Sequence, residues 1–262
     1  MADSLTFAIP ADAYDRHVGR YGADLAAGLI EVAGIRPGHR ALDVGSGPGA
    51  LTRALVDLLG ADAVAAVDPS EPFVAAVRER LAGVDVRLAS AEALPFADDE
   101  FDAALAQLVV NFMADPEQGV AEMRRVVRPG GVVAACVWDY PGEMTLLRAF
   151  WDAAAALEPE GVKGRDERTT MPFGRAGELL DLWRTHGLRE VEGGELVVAA
   201  EYESFEDLWA PFAAGVAPSG AFATSLDGSR RTDLHDEFRR RLGSPEGPFR
   251  LSARAWYAVG IK

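Results

Sequence analysis

Cysteine is nearly absent from the 262-residue chain: Cys136 stands alone, so no intramolecular disulfide can form. A reducing compartment, the cytoplasm, is therefore expected. Cys136 lies in the apolar run 132–138 and reads as a small core residue. Lysine is almost as scarce, with only Lys163 and Lys262. Neither the lone cysteine nor the four histidines show metal-ligand spacing, and no metal is expected. Long hydrophobic runs are missing too. The most apolar stretch, 103–114, is interrupted by Gln107 and Asn111, and a membrane span needs roughly 18 apolar residues or more. The first residues carry acids where a signal peptide carries bases, so no membrane partner is expected. Positive charge is short: 26 bases against 41 acids leave a net charge of −15. A field of that sign repels phosphate backbones, which argues against a nucleic-acid partner.

What remains is the composition of an ordinary globular protein, 49% hydrophobic and 26% charged, without repeats or low-complexity tracts. Residues 12–34 read as mostly helical. The chain then alternates. Strands are predicted at 39–44, 63–68, 84–88, 101–108 and 132–138, and helices at 49–60, 71–83 and 116–125. Near-continuous apolar strands separated by helices predict a doubly wound parallel sheet covered on both faces. In such sheets ligands sit beyond the carboxyl ends of the strands, where the strand order reverses. After residue 140 the alternation stops. Helices are expected at 143–157 and 176–186, a polar loop at 158–171, and strands at 190–200 and 253–260. Between those strands lie helix candidates 204–212 and 231–242. This insertion holds too few apolar residues for a core of its own and reads as a cap over the ligand edge. One domain in three parts is expected: 1–34 over the site, 35–140 as the binding core, and 141–262 carrying the last helix, the last strands and the cap.

The strongest local feature is ALDVGSGPGA at 41–50, a strand end, three alternating glycines and a helix start. Glycine lets the backbone turn sharply and approach a ligand closely. Gly45, Gly47 and Ala50 also satisfy the dinucleotide fingerprint, so this loop alone leaves NAD(P) and other adenosine ligands open. Asp68 ends the second strand 23 residues after Gly45, where an acid accepts ribose hydroxyls of either. Asp43 inside the first strand discriminates: a pyrophosphate gains nothing from a negative charge there, whereas a cationic ligand tolerates it. ASAEALPF at 89–96 follows the third strand, where a loop grips an adenine edge, and VVRPGGV at 126–132 leads into the fifth.

Taken in order, LDVGSGPG, VDPS, AEALPF and RRVVRPGG resemble the class I S-adenosylmethionine-dependent methyltransferases, in particular their small-molecule, ubiquinone-biosynthesis-like branch. The resemblance is strong over residues 12–140. It implies a Rossmann-like, seven-stranded, mostly parallel sheet with one antiparallel strand. It also implies S-adenosylmethionine as cofactor, S-adenosylhomocysteine as product, and a small-molecule methyl acceptor. Residue by residue, Gly45, Ser46 and Gly47 would face the methionine part, Asp68 the ribose, and Pro69 the adenine flank. Ser90, Ala91 and Glu92 would edge the adenine, and Gln107 would close the site. Ser90 stands where the family often has Asp, so its hydroxyl lacks charge assistance. In a segment resembling one that folds over the cofactor, Arg20 would pair with the methionine carboxylate and Tyr14 would lie beside the sulfonium or the carboxylate.

Methyl transfer from a sulfonium is an in-line displacement in which alignment alone contributes on the order of 7–11 kcal/mol. If a base assists, His17 is the best placed; Asn111 and Asp139, at the ends of strands four and five, are substrate-side candidates that fit turns equally well. His186 reads as a helix-end residue, and His39 and His235 as exposed. The acids 98–100 read as a solvated turn. Trp151, Phe173, Trp209, Phe212 and Trp256 fit either a pocket for a flat aromatic acceptor or core. The alternatives to a methyltransferase are an NAD(P)-dependent oxidoreductase, a non-catalytic S-adenosylmethionine-binding protein and a nucleic-acid methyltransferase. The oxidoreductase lacks a Tyr-x-x-x-Lys pair, and the nucleic-acid methyltransferase lacks an Asn/Asp-Pro-Pro-aromatic motif. Oligomeric state is not encoded in any of these features.

Overall fold

The structure, a computed structural model, describes residues 16–262. A turn of 3-10 helix at Val18–Tyr21 leads into α1 (Gly22–Val32). Then follow β1 (Ala41–Val44), α2 (Ala50–Leu59), β2 (Val64–Asp68), α3 (Glu71–Arg80), β3 (Asp85–Leu88), β4 (Phe101–Gln107), α4 (Pro116–Val126) and β5 (Val127–Trp138). Every residue of β1 and β2 is buried, as strands covered on both faces must be. Helix α4 starts where its sequence says it should: Pro116 needs no N–H partner, and Asp115 accepts from the Gln118 N–H at 3.0 Å.

The later elements are α5 (Thr145–Leu157), α6 (Glu167–Thr170), α7 (Glu178–Thr185), β6 (Arg189–Tyr202), α8 (Phe205–Ala213), α9 (Ala217–Ser225), α10 (Gly228–Arg241) and β7 (Phe249–Ile261). The seven strands form one sheet in the order β3-β2-β1-β4-β5-β7-β6. Strands β1 to β5 pair in parallel, and β7 runs antiparallel to both of its neighbours. Strand order reverses between β1 and β4, so the crevice lies beyond Val44 and Gln107.

Three differences from the sequence reading have local causes. Strand β5 begins at Val127 because the Arg-Pro-Gly-Gly turn is stitched to the end of β7. There Gly130 N–H donates to the Lys262 carbonyl and Lys262 N–H to that of Gly131. Helix α9 was not expected from APSGAFATS, rich in helix-weak residues. It forms because Gly220 has no side chain where a Cβ would stand 2.7 Å from the Gly215 carbonyl carbon, and because Phe222 and Ala223 are buried. Third, the insertion is not poor in core. Its Phe205, Trp209, Phe212, Phe222 and Phe238 form one aromatic cluster with Phe150 and Trp151 of α5, continuous with the main core. Phe150 stacks on Phe212 at 4.7 Å, and Phe238 meets both edge-on. Trp151, Trp209 and Phe212 are thus core rather than an acceptor pocket, and Trp256 lies beneath the Arg254 guanidinium.

Candidate active site

The loop after β1 is built by glycine and held by carboxylates. Gly45 has φ +73°, and a Cβ there would stand 2.5 Å from both methyls of Val109. Gly47 has φ +52° with nothing within 4 Å of where its Cβ would be. Asp68 pins the loop: its Oδ2 accepts from the Gly47 N–H and its Oδ1 from the Ser70 N–H, each at 2.8 Å. Burial pushes the Asp68 carboxyl up from the usual range, and the two N–H groups oppose that shift. Asp43, 1% exposed, accepts the Thr52 hydroxyl at 2.6 Å through Oδ2, while its Oδ1 has no partner among the described residues. Burial drives its carboxyl up to about 7, opposed by the Thr52 hydrogen bond and reinforced by the nearby charge of Asp68.

These groups face a cavity of about 320 Å³. Gly45, Ser46, Gly47, Asp68, Pro69, Ser90, Ala91, Glu92 and Gln107 all line it. Glu92 also ties two loops together, because its Oε1 accepts from the Ala114 and Asp115 N–H groups. Gln107 donates from Nε2 to the Gly22 carbonyl at 3.1 Å, and its Oε1 is buried without a partner among the described residues. Leu108, at φ +62°, turns the chain out of β4, a conformation costing a side-chain-bearing residue roughly 1–2 kcal/mol. The sequence reading missed the walls contributed by Val18, Gly19, Gly22, Val109, Phe112 and Met113. None carries a polar side chain, so nothing short of the fold marks them.

The flanking candidates separate. Tyr14 lies outside the described residues. Arg20, expected against a carboxylate of the cofactor, is instead bound to the insertion. Its Nη2 meets Asp207 Oδ1 at 2.5 Å, its Nη1 donates to the Glu201 carbonyl, and its guanidinium covers the Tyr202 ring. Asp139, expected on the substrate side, is turned into a 2.7 Å ion pair with Arg254 and caps the Glu143 N–H. Asn111 is buried; its Nδ2 donates to the Tyr140 hydroxyl at 3.2 Å, and its Oδ1 has no partner among the described residues. His17 is 2% exposed, edge-on to Phe212, with both ring nitrogens unpartnered among the described residues. Desolvation lowers its pKa to about 4, so the ring is neutral. It lines a second cavity of about 30 Å³, which shares Val18, Leu108 and Phe112 with the larger one.

His186 does serve a helix end, Nδ1 lying 2.8 Å from the Leu182 carbonyl. His235 is not exposed: it sits between Asp236 and Glu206. The acids 98–100 are each ion-paired, to Arg125, Lys262 and Arg40. Cys136 is buried, and burial pushes its thiol up to about 12. Among the described residues no cluster of His, Cys, Asp or Glu is arranged to hold a metal ion, and no helix is long and apolar enough to cross a membrane.

A model of the methyltransferase domain matches residues 42–135, the segment that carries the glycine loop and β1 to β5. An uncharacterised protein of Mycobacterium tuberculosis is 30% identical over 72% of this chain and 70% of its own length. A malonyl-[acyl-carrier protein] O-methyltransferase of Pseudescherichia vulneris is 38% identical over 58% of this chain and 59% of that one. Among solved structures, an S-adenosylmethionine-dependent methyltransferase of Thermotoga maritima superposes with a TM-score of 0.55 at 21% identity, covering 96% of this chain and 95% of that one. Phospholethanolamine N-methyltransferase 2 of Haemonchus contortus, in complex with S-adenosylhomocysteine, reaches 0.60 at 16% identity, covering 96% and 57%. At those identities the structural likeness speaks for the fold. The chain belongs to the class I S-adenosylmethionine-dependent methyltransferases, and S-adenosylmethionine is its cofactor.

Proposed function

We propose that the protein methylates a small organic acceptor, and that the 320 Å³ cavity holds the cofactor between the β1 loop and the Ser90–Glu92 turn. The observation carrying this reading is the pair of carboxylates at the ends of β1 and β2 on one cavity, with Asp43 Oδ1 buried and unpartnered among the described residues. A cation stabilises a carboxylate in that position, and an ammonium next to a sulfonium fits it; a pyrophosphate does not. Bound there, S-adenosylmethionine supplies a methyl group on a positively charged sulfur.

The chain's own residues do the rest. Gly47 presents bare backbone to the ligand. Each Asp68 oxygen already accepts one N–H and keeps capacity for a ribose hydroxyl. Pro69, Ser90 and Glu92 border the adenine end, and Gln107 Oε1 offers an unused acceptor at the other. Val109, Phe112 and Met113 exclude water, which strengthens the electrostatics of the site. His17, neutral at physiological pH, offers a ring nitrogen as hydrogen-bond acceptor to the methyl acceptor rather than acting as a strong base. The net charge of −15 supports a small acceptor over a nucleic acid. The lone buried thiol Cys136 suits a reducing compartment, the cytoplasm.

Thermal unfolding with ligand tests the reading. At a hundredfold excess over Kd, S-adenosylhomocysteine should stabilise the protein by about 2.7 kcal/mol, and NAD(H) should not. Asp68→Ala should abolish that shift; a shift of wild-type size would remove Asp68 from the site.

A further inference from the structure

Glu167, on α6 ahead of β6, is a buried carboxyl that the cofactor reading does not use. It is 5% exposed and lines the 30 Å³ cavity opposite no cation: among the described residues, no lysine or arginine borders that space. The guanidinium next in the chain is directed elsewhere. Arg168 grips Asp166 at 2.6 Å and Asp152 at 2.5 Å, fixing the short helix α6 that carries Glu167. Among the described residues, Glu167 has one hydrogen-bond donor, the Trp151 indole N–H, 2.8 Å from Oε2. His17, on the same cavity, contributes two further nitrogens without partners among the described residues. The rest of the wall is mainly apolar, including Phe112, Trp138 and Leu147. A buried polar group with unused capacity costs free energy until a ligand satisfies it.

The wall shared with the larger cavity places this space beside the methyl donor's site. Resting on the cofactor reading above, we propose that Glu167 and His17 form the polar end of the acceptor subsite. The acceptor they select is uncharged, with a single compact hydrogen-bond-donating group, a hydroxyl or an amine, on an apolar body. Where Glu167 is ionised, a carboxylate acceptor would meet a like charge, a neutral imidazole and no cation among the described residues, and is rejected by repulsion and desolvation together. A group without a donor leaves the acceptor nitrogen of the neutral His17 ring unsatisfied, and such sites discriminate strongly against analogues that lack the donor.

The probes are phenol, anisole and benzoate, titrated calorimetrically into protein saturated with S-adenosylhomocysteine. They share a ring and differ in donor and charge. Phenol should bind at least about tenfold more tightly than either of the others. Burial pushes the Glu167 carboxyl up to about 7, so the titrations are run above about pH 8, where it is charged. Glu167→Gln keeps an acceptor for the Trp151 N–H and removes that charge, so benzoate should gain about tenfold on it while S-adenosylhomocysteine affinity is unchanged. Benzoate or anisole equal to phenol on the wild type, no binding of phenol at millimolar concentration, or an unchanged phenol-to-benzoate ratio in a folded Glu167→Gln overturns the proposal. The wild-type ranking decides the matter even if the variant does not fold. Failure of S-adenosylhomocysteine to bind strikes the cofactor reading itself; normal binding of it without a phenol preference strikes this subsite alone.

Discussion

Two glycines two residues apart in one loop should fail in opposite ways when given a methyl group. At Gly45 the added Cβ meets both Val109 methyls at 2.5 Å, and the backbone sits at φ +73°. The left-handed conformation costs a residue with a Cβ roughly 1–2 kcal/mol, and overpacking adds roughly 1–3 kcal/mol. Gly45→Ala should therefore destabilise the fold by roughly 2–5 kcal/mol. At Gly47 the space is open and φ is +52°, so only the conformational part applies. That open space is the proposed cofactor cavity. Gly47→Ala should thus cost about 1–2 kcal/mol of stability but lower S-adenosylhomocysteine affinity by about tenfold or more. Urea denaturation gives the first quantity, through the midpoint at constant slope; calorimetric titration gives the second. Val109→Ala in the Gly45→Ala background removes the two clashing methyls and should recover the overpacking part but not the strain, a coupling that a double-mutant cycle reads directly. Equal stability of the two alanine variants, or strict additivity of Gly45→Ala with Val109→Ala, would refute the steric account.

Asp43 makes a prediction in pH. Its folded-state pKa of about 7 lies above the unfolded value, so the folded state holds the extra proton between the two. Stability contributed by this group is full below the unfolded pKa near 4 and is lost as pH rises towards 7, by up to about 4 kcal/mol. Asp43→Asn retains an acceptor for Thr52 and removes that loss. Its stability relative to wild type in urea should rise from pH 4 to pH 7 and then level, while its S-adenosylhomocysteine affinity falls; a difference independent of pH would contradict the burial argument. Arg20→Ala should leave S-adenosylhomocysteine affinity within about twofold, because the guanidinium is bound to Asp207 and Glu201. It should cost about 1 kcal/mol of stability. A large loss of affinity in calorimetry would return Arg20 to the cofactor.

Strands β1, β2, β4 and β5 were legible because a parallel sheet buried on both faces needs unbroken apolar runs, and the glycine loop because its backbone demands residues without a Cβ. What escaped the sequence depends on partners far along the chain. Arg20 looks equally suited to a ligand carboxylate and to Asp207, 187 residues away, and only the packing of α8 against the N-terminal turn decides. Glu167 sits in a stretch that reads as polar loop; its burial comes from Trp151 and from helices that close over it. The residues of the aromatic cluster are spread over four helices, each too sparse to announce a core.

The place of β7 carries a cost in assembly. It follows β6 in the chain yet stands between β5 and β6 in the sheet. A growing polypeptide therefore presents β6 before the strand that anchors it exists. Until β7 slides in, fourteen residues of β6 and the far side of β5 expose backbone hydrogen-bonding edges that neighbouring nascent chains can template on. Closure must wait for contacts that join distant parts of the chain, which makes it slow. Cells that produce this enzyme quickly should need holdases most during that interval, and a lesion confined to β7 should yield aggregates rather than a shortened active protein.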